Sequence, residues 1–489
     1  MRRGQTYRGA YATAAKPWVQ GLLTLLLAAV VPSPLYAHGF GQRYDLPVPL
    51  WLYLLGAGAT VGFSFLVVGA LLPARRSADQ GLRLALPSGG VVGRSIVLAV
   101  RIAAVVLFAL VVIAGLIGNQ SPFKNIAPAM VWVIGWVGLS FASALIGDIW
   151  AVVNPWDSLA RLVERRQQRG NPHRSSSAAR LPMPWFDAWP AVLIFLLFAW
   201  CELIWDGSDR PRSLALALLG YSAVTWAGML AFGRQQWLRC GEIFSIAFGL
   251  FSRFAPVEAD DGAEGARLFL RPYAAGLLSR DAASPALTCF VLLLLATVTF
   301  DGILETPSWV ALAAWFDPRG VDSAVLATSG LIGLPLAFLG IYLATIALTS
   351  RLVPGSRGVG ALAGVFVTTF VPIALAYDVA HNLSFLALGA QYLIPILSDP
   401  FGIGWDLFGT KLYLIDTGAV TASLMWTVAI AAIVGGHVVA VYLAHTQALR
   451  LFPDRATALR SQVPLVVLMI AYTMTSLWIL AQPITNIRP

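Results

Sequence analysis

The sequence predicts an all-α integral membrane protein, a bundle of about ten transmembrane helices behind an N-terminal signal peptide, on three observations. Of its 489 residues, 58% are hydrophobic and 12% charged, where an ordinary soluble domain is about 25% charged. Apolar runs of about 20 residues, the length that crosses a bilayer as a helix, recur from end to end between short polar loops. The arginines behind the net charge of +9 fall in alternate loops, the positive-inside pattern of a multi-pass protein. They carry no interleaved aromatics, which argues against a nucleic-acid surface. Cys201, Cys240 and Cys289 are widely spaced, so neither a disulfide framework nor a CxxC metal motif is present.

At the N-terminus, Arg2, Arg3, Arg8 and Lys16 precede the apolar run 21–31, and PSPLYA at 32–37 ends in a cleavage pattern. Residues 1–37 therefore read as a secretory signal peptide and 38–489 as one multi-pass domain. Cleavage after Ala37 makes His38 the first mature residue, whose amine and imidazole together can chelate a metal, copper in particular. Leu35 is large for its place before the cut, which leaves cleavage elsewhere open.

The first three spans are read at 50–72, 96–117 and 129–153. Arg75, Arg76, Arg83 and Arg94 follow the first, and Arg161, Arg165, Arg166, Arg169, Arg174 and Arg180 follow the third. Both loops are placed in the cytoplasm of a bacterial inner membrane, with the mature N-terminus and the C-terminus outside. A fourth span at 189–205 ends outward with Glu202 and Asp206, and a fifth covers 214–232. The inner segment 234–283 opens with aromatics mixed among Arg234, Arg239 and Arg253, which suits a helix lying in the interface. Its acidic patch, 258–264, reads as a solvated loop.

The sixth span, 285–304, runs out through TFDGILETPSW with Asp301 and Glu305, and the seventh, 325–348, returns to Arg351 and Arg357. The eighth covers 360–380. Residues 383–417, apolar and then rich in Gly, Pro and Asp, read as an outer loop or re-entrant cap. The ninth, 419–444, holds His437, with His445 at its inner end, and the tenth covers 463–482. No internal repeat is evident, which weighs against an inverted-repeat transporter.

Chemistry centres on VPIALAYDVAHN at 371–382, which sets Asp378 and His381 three residues apart on one helical face. Asp378 lies about 27 Å from the inner start of its span. An ionisable residue at a helix centre costs roughly 2.5–3.5 kcal/mol, which marks a candidate functional site. The topology places His38, Glu202, Asp206, Asp301, Glu305, Asp378 and His381 at one outer level. Histidine and carboxylate donors together form a ligand set for a divalent metal such as zinc, manganese or iron. On this reading His381, Asp378, His38 and Glu202 bind metal, while Asp301 and Glu305 hold a second ion or act as general base. The blander reading, a polar rim meeting headgroup water, carries similar weight.

A second polar group falls at the inner level: Asp148, Asn154, Arg101 and His437. Asp148 and Arg101 read as an internal ion pair before a proton relay, and the tryptophans of GDIWAVVNPWD as interface anchors. A path of titratable groups from His437 outward to Asp378 is the alternative use of these residues. P-loop, dinucleotide, HExxH and nucleophile-elbow motifs are absent from the sequence.

Three stretches, AHGFGQRYDLPVPLWLY at 37–53, GDIWAVVNPW at 147–156 and FDGILETPSW at 300–309, resemble the bacterial membrane proteins of the fenitrothion hydrolase family. The resemblance covers most of the mature chain and implies hydrolysis of an organophosphate phosphotriester. The leading expectation is thus a metal-dependent hydrolase of a lipophilic ester or phosphotriester drawn from the bilayer. Its competitors are a metal-ion or proton-coupled transporter and a non-catalytic subunit that meets a membrane partner.

Overall fold

The computed structural model describes residues 48–71, 83–86, 90–170, 187–262, 265–278, 281–353, 358–452 and 454–482. The expected signal peptide and His38 lie outside the described residues. Fifteen helices are labelled here in chain order: α1 Leu50–Leu71, α2 Gly90–Ile117, α3 Ile126–Leu145, α4 Trp150–Val153 and α5 Pro155–Gly170; then α6 Trp189–Leu203, α7 Pro211–Phe232, α8 Arg234–Cys240, α9 Ile243–Ser252 and α10 Pro285–Leu304; and finally α11 Pro307–Phe316, α12 Ser323–Leu352, α13 Val359–Ser398, α14 Ala422–Leu451 and α15 Arg455–Leu480. Among the described residues nine of these are long and apolar enough to cross a membrane, and α6, at 15 residues, is a shorter apolar helix. The ten sequence-read segments each overlap one of these ten helices, but the third, read at 129–153, ends at Leu145, and its remainder forms a break and the separate short helix α4.

Helix starts are set locally. Ser284 accepts from Leu287 N–H before α10, Thr306 from Trp309 before α11, Thr421 from Leu424 before α14 and Asp454 from Thr457 before α15. Each side-chain oxygen satisfies an amide that has no partner inside its own helix. The most enclosed spans are α10 and the first half of α13, around which the others pack.

Three elements depart from the sequence reading. The outer loop expected from residue 383 is helical to Ser398, so the cap begins only at Asp399. His381, Phe385, Leu388, Tyr392 and Ile396 recur every three or four residues along that stretch and share one wall of a cavity, so its polar residues mark an inward face and not an exit from the helix. The helix expected in the interface, α9, lies within the bundle: Ile243, Ile246, Ala247, Phe248, Leu250 and Phe251 are buried, and it packs on α3, α4, α6 and α13. The acidic patch is a hairpin, β2 Val257–Gly262 with β3 Gly265–Leu270, and Leu84–Ala85 (β1) adds antiparallel to β3. Arg83 pairs with Glu258 at 3.1 Å, and Arg271 reaches the same carboxylate at 3.3 Å.

Helices α13 and α14 cross closely. A Cβ at Gly436 would meet Ala376 and lie 2.7 Å from the Pro372 carbonyl oxygen, whereas one at Gly435 would meet nothing within 4 Å. Gly436→Ala is therefore expected to cost about 1–3 kcal/mol through overpacking. Gly435→Ala should be neutral or stabilise by up to about 1 kcal/mol through helix propensity. Thermal unfolding of the detergent-solubilised variants by tryptophan fluorescence checks this; equal shifts for both would disprove the close crossing.

Candidate functional site

Sequence placed seven polar residues at one level, and the structure brings four of them to one cavity. A cavity of about 1080 Å³ lies where α6, α10 and α15 end and where α3 and α14 begin, with α13 passing beside it. Glu202, Asp301, Glu305 and His381 stand on its wall with Asn382. The rest of the wall is largely apolar, with Phe123, Trp132, Phe385, Tyr392 and Trp426 supplying aromatic faces.

The chemical centre is a pair. His381 Nε2 lies 2.8 Å from Asp301 Oδ2, with side-chain exposures of 11% and 23%, so the contact is sheltered yet open to the cavity. Asp301 closes the last turn of α10 and His381 sits midway along α13, so packing of these two helices sets the distance. A carboxylate on Nε2 favours the tautomer with its proton there and leaves Nδ1 as the acceptor. Nδ1 lies toward Gly302, where an added Cβ would be 3.9 Å from it and 3.0 Å from the Tyr377 hydroxyl.

Asp378 does not line the cavity. It is 4% exposed, and its Oδ1 accepts from Asn382 Nδ2 at 2.8 Å. It therefore acts through Asn382, orienting that amide on the wall. Asp206 is also off the wall, and Asp209 takes its place. Among the described residues no group of three or more His, Cys, Asp or Glu side chains is arranged to hold a metal ion. Asp301 and His381 supply two donors of the three or four that such an ion takes from protein.

The inner polar residues separate. Asp148 is exposed and accepts from Ala151 N–H at 3.0 Å, starting α4. Arg101 does not pair with it; the charges acting on Arg101 are Asp157 and the arginines Arg161, Arg165 and Arg234. Asp157 bonds Arg161 and Arg234 at 2.6 Å each, and Arg234 also reaches Glu164 at 2.9 Å. Burial disfavours the charge on Arg234, but Glu164 and Asp157 outweigh it and hold its pKa above the usual value. His437 is buried in α14 with Nδ1 2.8 Å from the Ile433 carbonyl. Its ring lies 5.9 Å from Tyr472, Tyr472 lies 6.4 Å from Tyr377, and Tyr377 stacks 6.4 Å from His381.

Sequence reasoning missed Glu242, which is fully buried. Its Oε2 accepts from Trp150 Nε1 at 2.9 Å, Asn154 Nδ2 at 3.2 Å, and the amide and hydroxyl of Ser245 at 2.8 and 2.5 Å. Its Oε1 accepts from the Tyr221 hydroxyl at 2.7 Å and Phe244 N–H at 3.1 Å. The GDIWAVVNPWD motif is thus built around a carboxylate, and Trp150 and Trp156 are buried instead of anchoring an interface. A lone glutamate after glycine and before the apolar run IFSIAFGLF was the available signal, as an N-cap position.

With six donors on two oxygens, Glu242 has no capacity left for a substrate, and its role is structural. Glu242→Ala strands several buried donors at about 1–3 kcal/mol each and is expected to cost at least about 3 kcal/mol. Glu242→Gln, which keeps one oxygen, should cost less. Thermal midpoint and trypsin resistance measure both, and an alanine variant as stable as the parent would refute the network.

Comparison with protein-family models, curated proteins and solved structures finds no match to this chain.

Proposed function

We propose that the cavity hydrolyses a lipophilic ester, with neutral phosphotriesters among its substrates, and that the Asp301–His381 pair is the general base. The observation that carries this is the pair itself, 2.8 Å apart on the wall of a cavity of about 1080 Å³. The aromatic wall suits an apolar substrate that has partitioned into the bilayer. The arginine-rich end of the bundle is assigned to the cytoplasm and the cavity end to the outer face of a bacterial inner membrane.

Asp301 fixes the imidazole and stabilises it when it takes a proton from water. The water oxygen attacks the carbonyl or phosphoryl centre, the bond to the ester's alkoxy or aryloxy oxygen breaks, and that oxygen leaves as the alcohol or phenol by taking the proton back from His381. Glu305 and Glu202 repel the anionic acid released, which favours its exit. With His38 as a third donor, the same pair would suit a zinc ion that activates water. The residues described here perform the base step without it.

In nanodiscs, turnover of p-nitrophenyl esters of increasing chain length and of diethyl p-nitrophenyl phosphate should fall about 10²- to 10⁴-fold in Asp301→Asn and His381→Ala. Activity should decline toward acid pH, since a protonated imidazole accepts nothing. No turnover by the parent protein, with or without added zinc, manganese, iron or copper, would end the hydrolase reading.

Proton-coupled transport is the second reading, favoured by the His437–Tyr472–Tyr377–His381 series, in which Tyr472 Oη also lies 2.6 Å from Thr299 Oγ1. It requires proton flux in liposomes that is lost in Tyr472→Phe. The hydrolase reading expects ester turnover to survive that change.

A further inference from the structure

At the opposite end of the bundle, α1 and the start of α15 leave a groove of about 400 Å³. Phe65 and Leu66 form one side, Leu459 and Val463 the other, and Arg455 and Arg460 stand at its mouth. Gly69 allows the two helices to close around its base, since a Cβ there would lie 2.8 Å from Leu459 Cδ2. Leu66 and Val463 are 65% and 47% exposed, so the apolar sides face lipid.

The two arginines differ in role. Arg455 donates to the carbonyls of Gly69 and Ala70, closing the C-terminal end of α1. Arg460 is exposed and makes no hydrogen bond to a described residue. Asp454, the nearby carboxylate, caps α15 by accepting from Thr457 N–H at 2.8 Å and acts on Arg460 through space without bonding it. The positive end of the α15 dipole lies at this mouth, and the negative end of α1 beside it is met by Arg455. Arg75 and Arg76 follow α1 within five residues in the sequence.

We propose that this groove binds one anionic phospholipid, its phosphate on Arg460 and Arg455 and an acyl chain along Phe65, Leu66, Leu459 and Val463. Charge complementarity selects the occupant. A zwitterionic lipid brings its own cation to the two arginines, whereas an anionic one brings a net negative charge to a basic mouth at headgroup level. A bound lipid would also tie α1 to α15, whose direct link at this end includes Arg455.

Native mass spectrometry of the full chain, incubated with phosphatidylglycerol or with phosphatidylcholine of the same acyl chains, tests the proposal. Phosphatidylglycerol should bind in preference, as a single adduct. Arg460→Gln should lower its occupancy about fivefold, as loss of one cation near an anionic lipid predicts, and should leave phosphatidylcholine unchanged. Leu459→Trp, which fills the groove, should reduce the adduct as well.

Arg94→Gln is the control, because Arg94 is exposed near the start of α2 and, among the described residues, bonds only its own helix, at the Gly90 carbonyl. Equal binding of the two lipids would overturn the proposal. So would an effect of Arg94→Gln as large as that of Arg460→Gln, which would mean a diffuse basic shell. Displacement of the adduct by millimolar inorganic phosphate would make this a free-anion site and overturn it too.

Discussion

The arrangement of this bundle depends on a short helix that stands inside it, and that helix depends on charged side chains at both ends. At ten residues, α9 is too short to cross a bilayer, so its unpaired amides and carbonyls meet a medium with little water to satisfy them. Glu242 takes the amides of Phe244 and Ser245 at one end. Arg271 takes the carbonyls of Ser252 and Arg253 at the other, at 3.0 and 3.3 Å. Burying a carboxylate costs several kcal/mol, which the six donors gathered around Glu242 offset. Because α9 packs on α3, α6 and α13, the network that holds it also holds three walls of the distant cavity.

The carboxylates of that cavity are placed against their own helices. Glu202 and Asp301 lie in the last turns of α6 and α10, and Glu305 follows α10 directly. The helix dipole is negative there and acidic groups destabilise it, by about 0.3–1 kcal/mol each at exposed sites. A rim formed only for solubility gains nothing from this placement, since the same acids would be favourable at helix starts. His381 reverses the local balance for Asp301, and the π-helical stretch Ala129–Gly138 adds a second departure from regular structure beside it. Such stretches carry unfavourable geometry and concentrate at functional sites. Here it carries Trp132 and Val133 on the cavity wall, and Val133 fits against α13 because Gly389 has no side chain to oppose it.

The helices were legible because a membrane allows few backbone solutions. A run of about 20 apolar residues must close its hydrogen bonds internally, so periodicity mattered less than length. Local polarity was a poorer guide. Residues 383–417, apolar and then rich in Gly, Pro and Asp, read as an outer loop, whereas His381, Asn382 and Ser384 face a cavity inside the protein and the helix runs on to Ser398. The convergence of Glu202, Asp301, Glu305 and His381 was readable as a shared level. Which of them touch was not, since rotation about each helix axis leaves no mark in a span that is apolar on every side. For the same reason Asp378 was expected beside His381 in the site and instead lies behind Asn382. Glu242 escaped because its partners Trp150, Asn154 and Tyr221 come from segments 21 to 92 residues away in the chain.

Enzyme and carrier place different demands on the space between the two ends of the bundle. A carrier must open its site to each side in turn, which in known designs involves paired repeats or broken helices at the midplane. Here the region inward of His381 is filled: Leu292, Leu293, Leu294 and Leu295 of α10 are buried, as are Phe366, Val367, Phe370 and Val371 of α13. The tyrosine and histidine rings that cross it are spaced 5.9–6.4 Å apart between centroids, packed too closely to admit a solute. A cavity at one end of the bundle, with a sheltered base and largely apolar walls, needs no opening at the other end if substrate enters from lipid and the charged product leaves to water. Catalysis in place therefore asks less of this packing than transport of a solute does, and the inner ring series is compatible with either.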